Sequence, residues 1–347
     1  MPSRVDSPEP LVSVVIPTYN GGQWLLDAIA SCFQHELTSL EVVVVDDAST
    51  DDTPDRVAAD YPQVRLIRQP CNSGSGALGR NTGLEQARGL YVKFLDHDDL
   101  LEPGTLLWEA QAAEDHHADM VMCRWGDVRT DAQGYLIEAS RRSFVPPDPQ
   151  RLIEAILLGE KVPYTAAVHY RRSFIAEQRW DARLTINDDF DWFCRNALRT
   201  ERIVRLDHVS YYWRLHSSSI QGSQRFNSKS FVEAVYIHNH IYCNMAATLK
   251  QQHRLTPTYR RLLSRQLYAD LRVLARFNPE RCWSSLDIIN DLQPRFQPDE
   301  SMENTALFRV LISWLGLKLS LHLYRWLQLL PDQLRFRGGR VRYFKTS

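Results

Sequence analysis

Tyr91-Val92-Lys93-Phe94-Leu95-Asp96-His97-Asp98-Asp99 decides the fold. Tyr91 to Leu95 reads as a short apolar strand, buried enough to lie inside a sheet. It runs directly into three carboxylates within four residues. Like charges this close raise one another's pKa unless a cation binds between them. A strand-end Asp-x-Asp presents oxygens from one tight turn, which suits a hard divalent ion that keeps positions open for phosphate oxygens. Taken alone, the same residues also describe a solvated acidic turn with Asp99 capping the next helix, because short motifs recur by accident. The rest of the chain chooses between the two.

Working back from that strand, three others precede it. Leu11 to Pro17 is a continuous apolar run, as expected of a strand covered on both faces, and it ends in Thr18-Tyr19-Asn20-Gly21-Gly22. A helix follows, with Trp24, Leu25, Ala28, Ile29, Cys32 and Phe33 on one face. Glu41 to Val45 is the next strand and stops at Asp46-Asp47. Val64 to Gln69 is another, followed by a glycine-rich loop and a helix from about Arg80 to Ala87. The alternation of buried strands and helices predicts a mostly parallel sheet with helices on both faces. Ligands of such sheets bind at the carboxyl ends of the strands, where Tyr19, Asp47 and Asp96 all fall.

Gly74-Ser75-Gly76-Ala77-Leu78-Gly79 is a literal dinucleotide-binding fingerprint, with Asp96 at about the right distance beyond it. Three features oppose a dehydrogenase. Pro70 to Ser73 separates the strand from the first glycine, Gly83 breaks the helix early, and a ribose-binding site needs one acid, not three.

Beyond Ala118, strands are expected over Met120 to Val128 and Tyr164 to Tyr170. A hairpin turn at Asp131-Ala132-Gln133-Gly134 and a short helix over Leu152 to Leu158 lie between them. Asn187-Asp188-Asp189-Phe190-Asp191 starts another helix. Its acids suit the positive end of the helix dipole, and one of them suits a general base. Tyr211 to His216 closes this region. Helices are expected near 228–250, 257–276 and 304–330.

At 347 residues the chain accommodates one large domain and a smaller one, and 44% apolar with 24% charged residues is ordinary globular composition. A net charge of -1 provides no field toward nucleic acid. The six cysteines include no C-x-x-C pair and read as reduced thiols of a cytoplasmic protein. Met1 to Pro10 is polar, without signal-peptide character, and no apolar run reaches the 18 residues of a membrane span. The tail over 304–345, with Lys318, His322 and Arg325 on one helical face and five further cations after Leu334, reads as a basic amphipathic segment. Such a segment suits peripheral attachment to the inner face of a plasma membrane.

Taken together, these motifs resemble those of the family 2 glycosyltransferases over about Val12 to Ser219. Val12 to Asn20 is similar to the family's opening strand, and Val45 to Asp51 to its second-strand signature, with Ala48 where glycine is usual. Asn72-x-Gly74 through Ala77-x-x-Arg80-Asn81-x-Gly83 resembles the loop and helix before the metal strand, with Gly79 where alanine is usual. Phe94 to Asp99 resembles the metal motif. Asp188-Asp189 stands where Glu-Asp is usual, and Arg214-x-His216 resembles the last active-site motif.

The resemblance implies an α/β protein of GT-A fold, with a Rossmann-like, mostly parallel sheet flanked by helices and a smaller α-helical C-terminal region. The implied division is a disordered 1–10, a transferase domain over 11–220 and a helical region over 221–347. Within the domain, 11–117 binds the nucleotide-sugar and 118–220 the acceptor. Pro17, Thr18, Tyr19 and Asp47 are expected to hold the nucleotide base, and Arg80 to serve the base or diphosphate. Asp96 is expected on ribose or metal, Asp98 and His216 on the cation, and Asp189 as the general base. The implied cofactors are Mn2+ or Mg2+ and a UDP-sugar donor, and the acceptor a glycan or lipid-linked glycan hydroxyl attacked with inversion.

Two other readings compete. A sugar-1-phosphate nucleotidyltransferase needs a glycine-rich basic loop after its first strand, and Thr18-Tyr19-Asn20 is not one. A degenerate glycan-binding or scaffold domain has no need of Asp96, Asp98, Asp189 and His216 together.

Overall fold

The computed structural model describes residues 9–34, 37, 39–130, 136–163, 165–215, 228–277, 283–294, 296, 298, 317, 319 and 320. For residues 130, 136–143, 228, 229, 276, 277 and 283 it describes the backbone alone. The chain forms two compact units, Met1–Gln224 and Arg225–Ser347.

In the first unit, β1 (Val12–Thr18) is buried along its whole length, as a strand with helices on both faces must be. It pairs in parallel with β2 (Leu40–Asp46), Val14 opposite Val42, and with β4 (Tyr91–Phe94), Val15 opposite Phe94. On its other edge β2 pairs in parallel with β3 (Arg65–Arg68). Three helices make the crossovers: α1 (Gly22–Phe33), α2 (Thr53–Asp60) and α3 (Gly76–Gln86). Leu25, Leu26, Ala28, Ile29 and Cys32 of α1 are buried, whereas Phe33 lies at the rim with its ring stacked on Tyr61.

Past β4 the sheet becomes mixed. β8 (Val168–Arg171) lies antiparallel between β4 and β6 (Met120–Thr130). β9 (Ile203–Leu215) then runs parallel to β6, β5 (Leu100–Leu101) pairs antiparallel with β9, and β7 (Leu136–Phe144) pairs with β6. The main path is β3-β2-β1-β4-β8-β6-β9-β5, so the carboxyl ends of β2, β1 and β4 open side by side. Two further helices of this unit matter below: α4 (Thr105–Asp115) and α7 (Asp188–Arg199), separated in the chain by the short helices α5 (Leu152–Leu158) and α6 (Arg172–Ile175).

Three expectations change here. The strand expected from Tyr164 starts only at Val168, because Thr165–Ala167 form a 3₁₀ turn. Ala166 and Ala167 are small enough to bury that turn. Helix α3 begins at Gly76, ahead of the expected Arg80. Gly83, read as a helix breaker, is a packing residue: a Cβ there would lie 2.2 Å from Val15 Cγ1. At Gly79 a Cβ would lie 2.8 Å from the Pro17 Cβ, so the alanine usual at this position would displace Pro17. The fingerprint glycines Gly76 and Gly79 thus belong to the first turn of α3 and to its contact with β1.

The second unit contains α8 (Ser228–Gln251), α9 (Pro257–Phe277) and α10 (Trp283–Leu292), with Leu249, Leu263, Leu267, Leu271 and Ile289 in its core. No helix among the described residues is long and apolar enough to cross a membrane. The helix expected at 304–330 and the amphipathic tail over 304–345 lie outside the described residues, apart from three positions. Of residues 1–10 only Glu9 and Pro10 are described, and the Pro10 carbonyl already accepts from Leu90 N.

Candidate active site

The turn after β4 closes with Asp99 N donating to the Asp96 carbonyl at 3.1 Å. Asp99 is buried, and its Oδ1 accepts from the backbone N of Arg214 on β9 at 3.0 Å. Burial, and then the charges of Asp98 and Asp96, raise its carboxyl pKa well above the usual range. Asp99 therefore caps no helix; α4 starts later, after Gly104. It ties the acidic turn to the strand that carries Arg214. The buried Arg214 guanidinium in turn reaches Asp27 of α1 at 3.1 Å. His216 lies outside the described residues, one position past the end of β9.

Arg80 joins three segments. Its Nη2 donates to Asp96 Oδ1 at 2.6 Å and its Nη1 to Asp188 Oδ2 at 2.8 Å. Its guanidinium carbon lies 4.6 Å from the centre of the Trp180 ring. Burial opposes the charged form, but Asp96 and Asp188 outweigh it and raise the guanidinium pKa.

Asp188 and Asp189 open α7 behind Asn187, whose φ of 57° is left-handed. With Asp188 held by Arg80, Asp189 accepts a 2.7 Å bond from Phe190 N and has its pKa pushed up to about 7. Burial is the main cause and the charge of Asp188 the next. Asp191 is buried and accepts from Arg195 Nε at 2.8 Å, which makes it a helix-anchoring residue.

At the ends of β1 and β2, Asp47 N donates to the Thr18 carbonyl at 2.8 Å. The Asp47 carboxylate accepts from Ser73 N at 2.9 and 3.0 Å, from Ser73 Oγ at 3.0 Å and from Gly74 N at 3.2 Å. Of the fingerprint amides, that of the first glycine, Gly74, is therefore engaged by Asp47. Asn20 N donates to Ser49 Oγ and Thr50 N to Asn20 Oδ1, lacing the two loops together. Ala48, where glycine is usual, has φ 58°, a conformation that a Cβ disfavours. Tyr19 is 43% exposed, Pro17 supports Gly79, and the buried Thr18 Oγ1 has no hydrogen-bond partner. Every donor-site residue named from the sequence lies at the carboxyl ends of β1, β2 and β4 or reaches there from α3.

The residues fit a hard cation. Three acids share one turn, and the repulsion that raises Asp99 is what a divalent ion would relieve. Glu109, Cys123 and His208 also bring ligand atoms within 4.8 Å of one another. Glu109, however, is already bonded to Lys93 Nζ at 2.7 Å, Thr105 Oγ1 at 2.7 Å and Ser210 Oγ at 2.5 Å, with His169 Nδ1 at 3.2 Å. The Glu109 carboxylate thus already has the Lys93 ammonium as its counter-ion.

Sequence reasoning missed Asp27 and Trp180 as parts of this arrangement, and with Asp99 it missed the bond to the Arg214 backbone. Each acts through a partner distant in sequence, and no local spacing signals it.

Comparison with known proteins agrees with the fold. Residues 13–174 match the profile of Glycosyl transferase family 2. Putative glycosyltransferase EpsH of Bacillus subtilis (strain 168) is 27% identical over 255 residues, 71% of this chain and 71% of EpsH. Poly(ribitol-phosphate) beta-N-acetylglucosaminyltransferase TarS of Staphylococcus aureus is 29% identical over 209 residues, 58% of this chain but only 35% of TarS. The crystal structure of TarS residues 1–349 in complex with UDP-GlcNAc has a TM-score of 0.60 at 20% identity, covering 90% of this chain and 89% of that one. The same TarS fragment in complex with UDP gives 0.57. The architecture is of the GT-A type, with a helical C-terminal region.

Proposed function

We propose that the chain, whose residues 13–174 match the profile of glycosyl transferase family 2, is a member of that family, and that it transfers a sugar with inversion from a UDP-sugar to a hydroxyl of a glycan or lipid-linked glycan, with Asp189 as general base. The observation that carries the reading is the placement of Asp189: α7 sets it beside the Asp96 turn through Asp188 and Arg80. Burial and the charge of Asp188 push its carboxyl up to about 7, which suits a group that takes and releases a proton near neutrality. A base tuned to the working pH is the most effective acceptor of a hydroxyl proton. Attack from the side opposite the departing diphosphate is a single displacement and inverts the anomeric carbon.

Pro17, Thr18, Tyr19 and Asp47 form the base-binding end, with Arg80 and Asp96 behind it. Asp47 Oδ2 is occupied by Ser73 and Gly74, while Oδ1 accepts a single bond from Ser73 N. Oδ1 retains capacity for a ring N–H, such as that of uracil or guanine. The TarS complexes with UDP and UDP-GlcNAc support uracil. Asp96 and Asp98, with His216, would hold Mn2+ or Mg2+, which would supply Lewis-acid charge to the leaving diphosphate.

The relatives support a place in bacterial polysaccharide synthesis. Membrane association through 304–345 belongs to the same reading, since a lipid-linked acceptor is presented at a surface. Deleting that tail would release the protein from anionic vesicles, and added salt would weaken binding of the intact chain. The direct test is slow donor hydrolysis, which needs no acceptor. UDP-sugars should be cleaved in the presence of manganese and spared with chelator, and Asp98→Ala should remove the manganese effect. Cleavage indifferent to both would overturn the cation site.

A further inference from the structure

We propose that Arg80 is a positioning residue and not a donor ligand: it locks the base helix α7 to the turn after β4. The proposal rests on the transferase reading above and assigns Arg80 a different task within it. Both terminal nitrogens already bond carboxylates from two separate segments, Asp96 at 2.6 Å and Asp188 at 2.8 Å. The side chain is 9% exposed, its face lies over the Trp180 indole, and its unpartnered Nε is itself buried, so little of the guanidinium surface is open to a diphosphate. The planar fork of arginine can bridge two carboxylates while stacking on a ring; the single ammonium of lysine cannot.

The neighbouring residue completes the lock. Asn81 Oδ1 accepts from Trp180 N at 2.7 Å, and Asn81 Nδ2 donates to the Trp180 carbonyl at 2.9 Å. The Trp180 ring stacks on Trp192 of α7, with centroids 4.6 Å apart and planes 5° from parallel. Consecutive residues of α3 therefore grip the backbone and the ring of one tryptophan, the start of α7, and the acidic turn. Fixing Asp188 fixes the rotation of α7, and with it the direction of Asp189 one residue on, about 100° around the helix. Misplacing a reacting group by about 1 Å costs on the order of 10²-fold in rate.

The test compares Arg80→Lys, Asp188→Asn, the double variant and Asp188→Glu with the wild type. Donor cleavage gives kcat, calorimetry gives UDP affinity, and the near-ultraviolet circular dichroism of the Trp180–Trp192 pair reports folding. A positioning role predicts that Arg80→Lys and Asp188→Asn each lower kcat by about 10²-fold. It also predicts UDP affinity within about threefold of wild type and a double variant no slower than Arg80→Lys alone. Asp188→Glu, which keeps a carboxylate for Arg80, should retain kcat within about fivefold. Loss of UDP affinity in Arg80→Lys with Asp188→Asn unaffected, or additive losses in the double variant, would overturn the proposal. So would an Asp188→Glu as slow as Asp188→Asn. If Arg80→Lys fails to fold, the two Asp188 variants decide between these outcomes. A wild-type protein that binds no UDP would remove the transferase reading, and this proposal with it.

Discussion

Lys93 and Arg80 are both buried cations among carboxylates in the same unit, and their surroundings behave oppositely. Around Lys93, donors outnumber acids. Glu109 receives Lys93 and two hydroxyls, with His169 at 3.2 Å. Burial alone would raise the Glu109 pKa, but Lys93 and then His169 bring it well below the usual carboxylate range. Around Arg80, acids outnumber cations: Asp96, Asp188 and Asp189 all act on one guanidinium. Asp189 is left with its pKa pushed up to about 7, and Asp99, in the adjoining turn, is also raised. A satisfied buried network rigidifies. An under-neutralised one keeps a standing demand for a proton or a cation, which is what a reactive site needs. The first cluster braces β4, β9 and α4 together; the second, at the end of the same strand, is left open to chemistry.

The largest expected break in this comparison is Asp189→Asn. Asparagine preserves shape but takes no proton, so transfer should slow by about 10²–10⁴-fold. UDP affinity should barely move. Turnover measured beside donor affinity for the Asn variants at 188, 189 and 191 checks it; collapse at 191 with Asp189→Asn near normal would mean that another carboxylate is the base. On the structural side, Lys93→Met strands Glu109 without its cation and should cost about 3–5 kcal/mol in urea unfolding. Replacing both partners with apolar residues should recover most of that loss.

Proton linkage sharpens the contrast, because the two carboxylates carry opposite signs. Asp189 is raised from 3.8 to about 7, so between those values the native protein holds a proton that the unfolded chain has lost. Its contribution to stability therefore falls as pH rises through that window. Glu109 lies well below its ordinary 4.5, so its contribution is present above that value and is lost as pH falls toward the folded pKa. In urea unfolding from roughly pH 3 to 8, Asp189→Asn should flatten the near-neutral side and Glu109→Gln the acidic side. An exchange of the two would break the comparison. The rate of transfer should rise with pH through about 7 as Asp189 deprotonates. The smallest effect is expected at Ala48, where φ is 58°. Glycine there relieves the strained backbone, and Ala48→Gly should stabilise by about 0.5–1 kcal/mol, read as a small rise in Tm with unchanged UDP affinity.

Sequence and tertiary structure contributed different parts of this site. The parallel core was legible because continuous apolar runs such as Val12 to Ile16 and Val42 to Val45 have only one place to lie, inside a sheet covered on both faces. The positions of Asp47 and Asp96 were legible because they stand where such strands end, and the acids that open α7 because acids gather at a helix start, though only the family resemblance singled out Asp189 among them. The strand expected at Tyr164 was misread because a 3₁₀ turn of small residues has the same apolar look as a strand. What no local pattern could supply is which charge meets which. Asp99 bonding the Arg214 backbone, Asp27 meeting the Arg214 guanidinium, and Arg80 shared between Asp96 and Asp188 are all long-range pairings. Hydrophobic periodicity is written in neighbouring residues, so the sequence determined the elements and the end of the sheet where chemistry belongs. Electrostatic balance depends on distances between segments far apart in the chain. Only the tertiary structure could therefore decide that Lys93 sits in a finished network and Arg80 in an unfinished one.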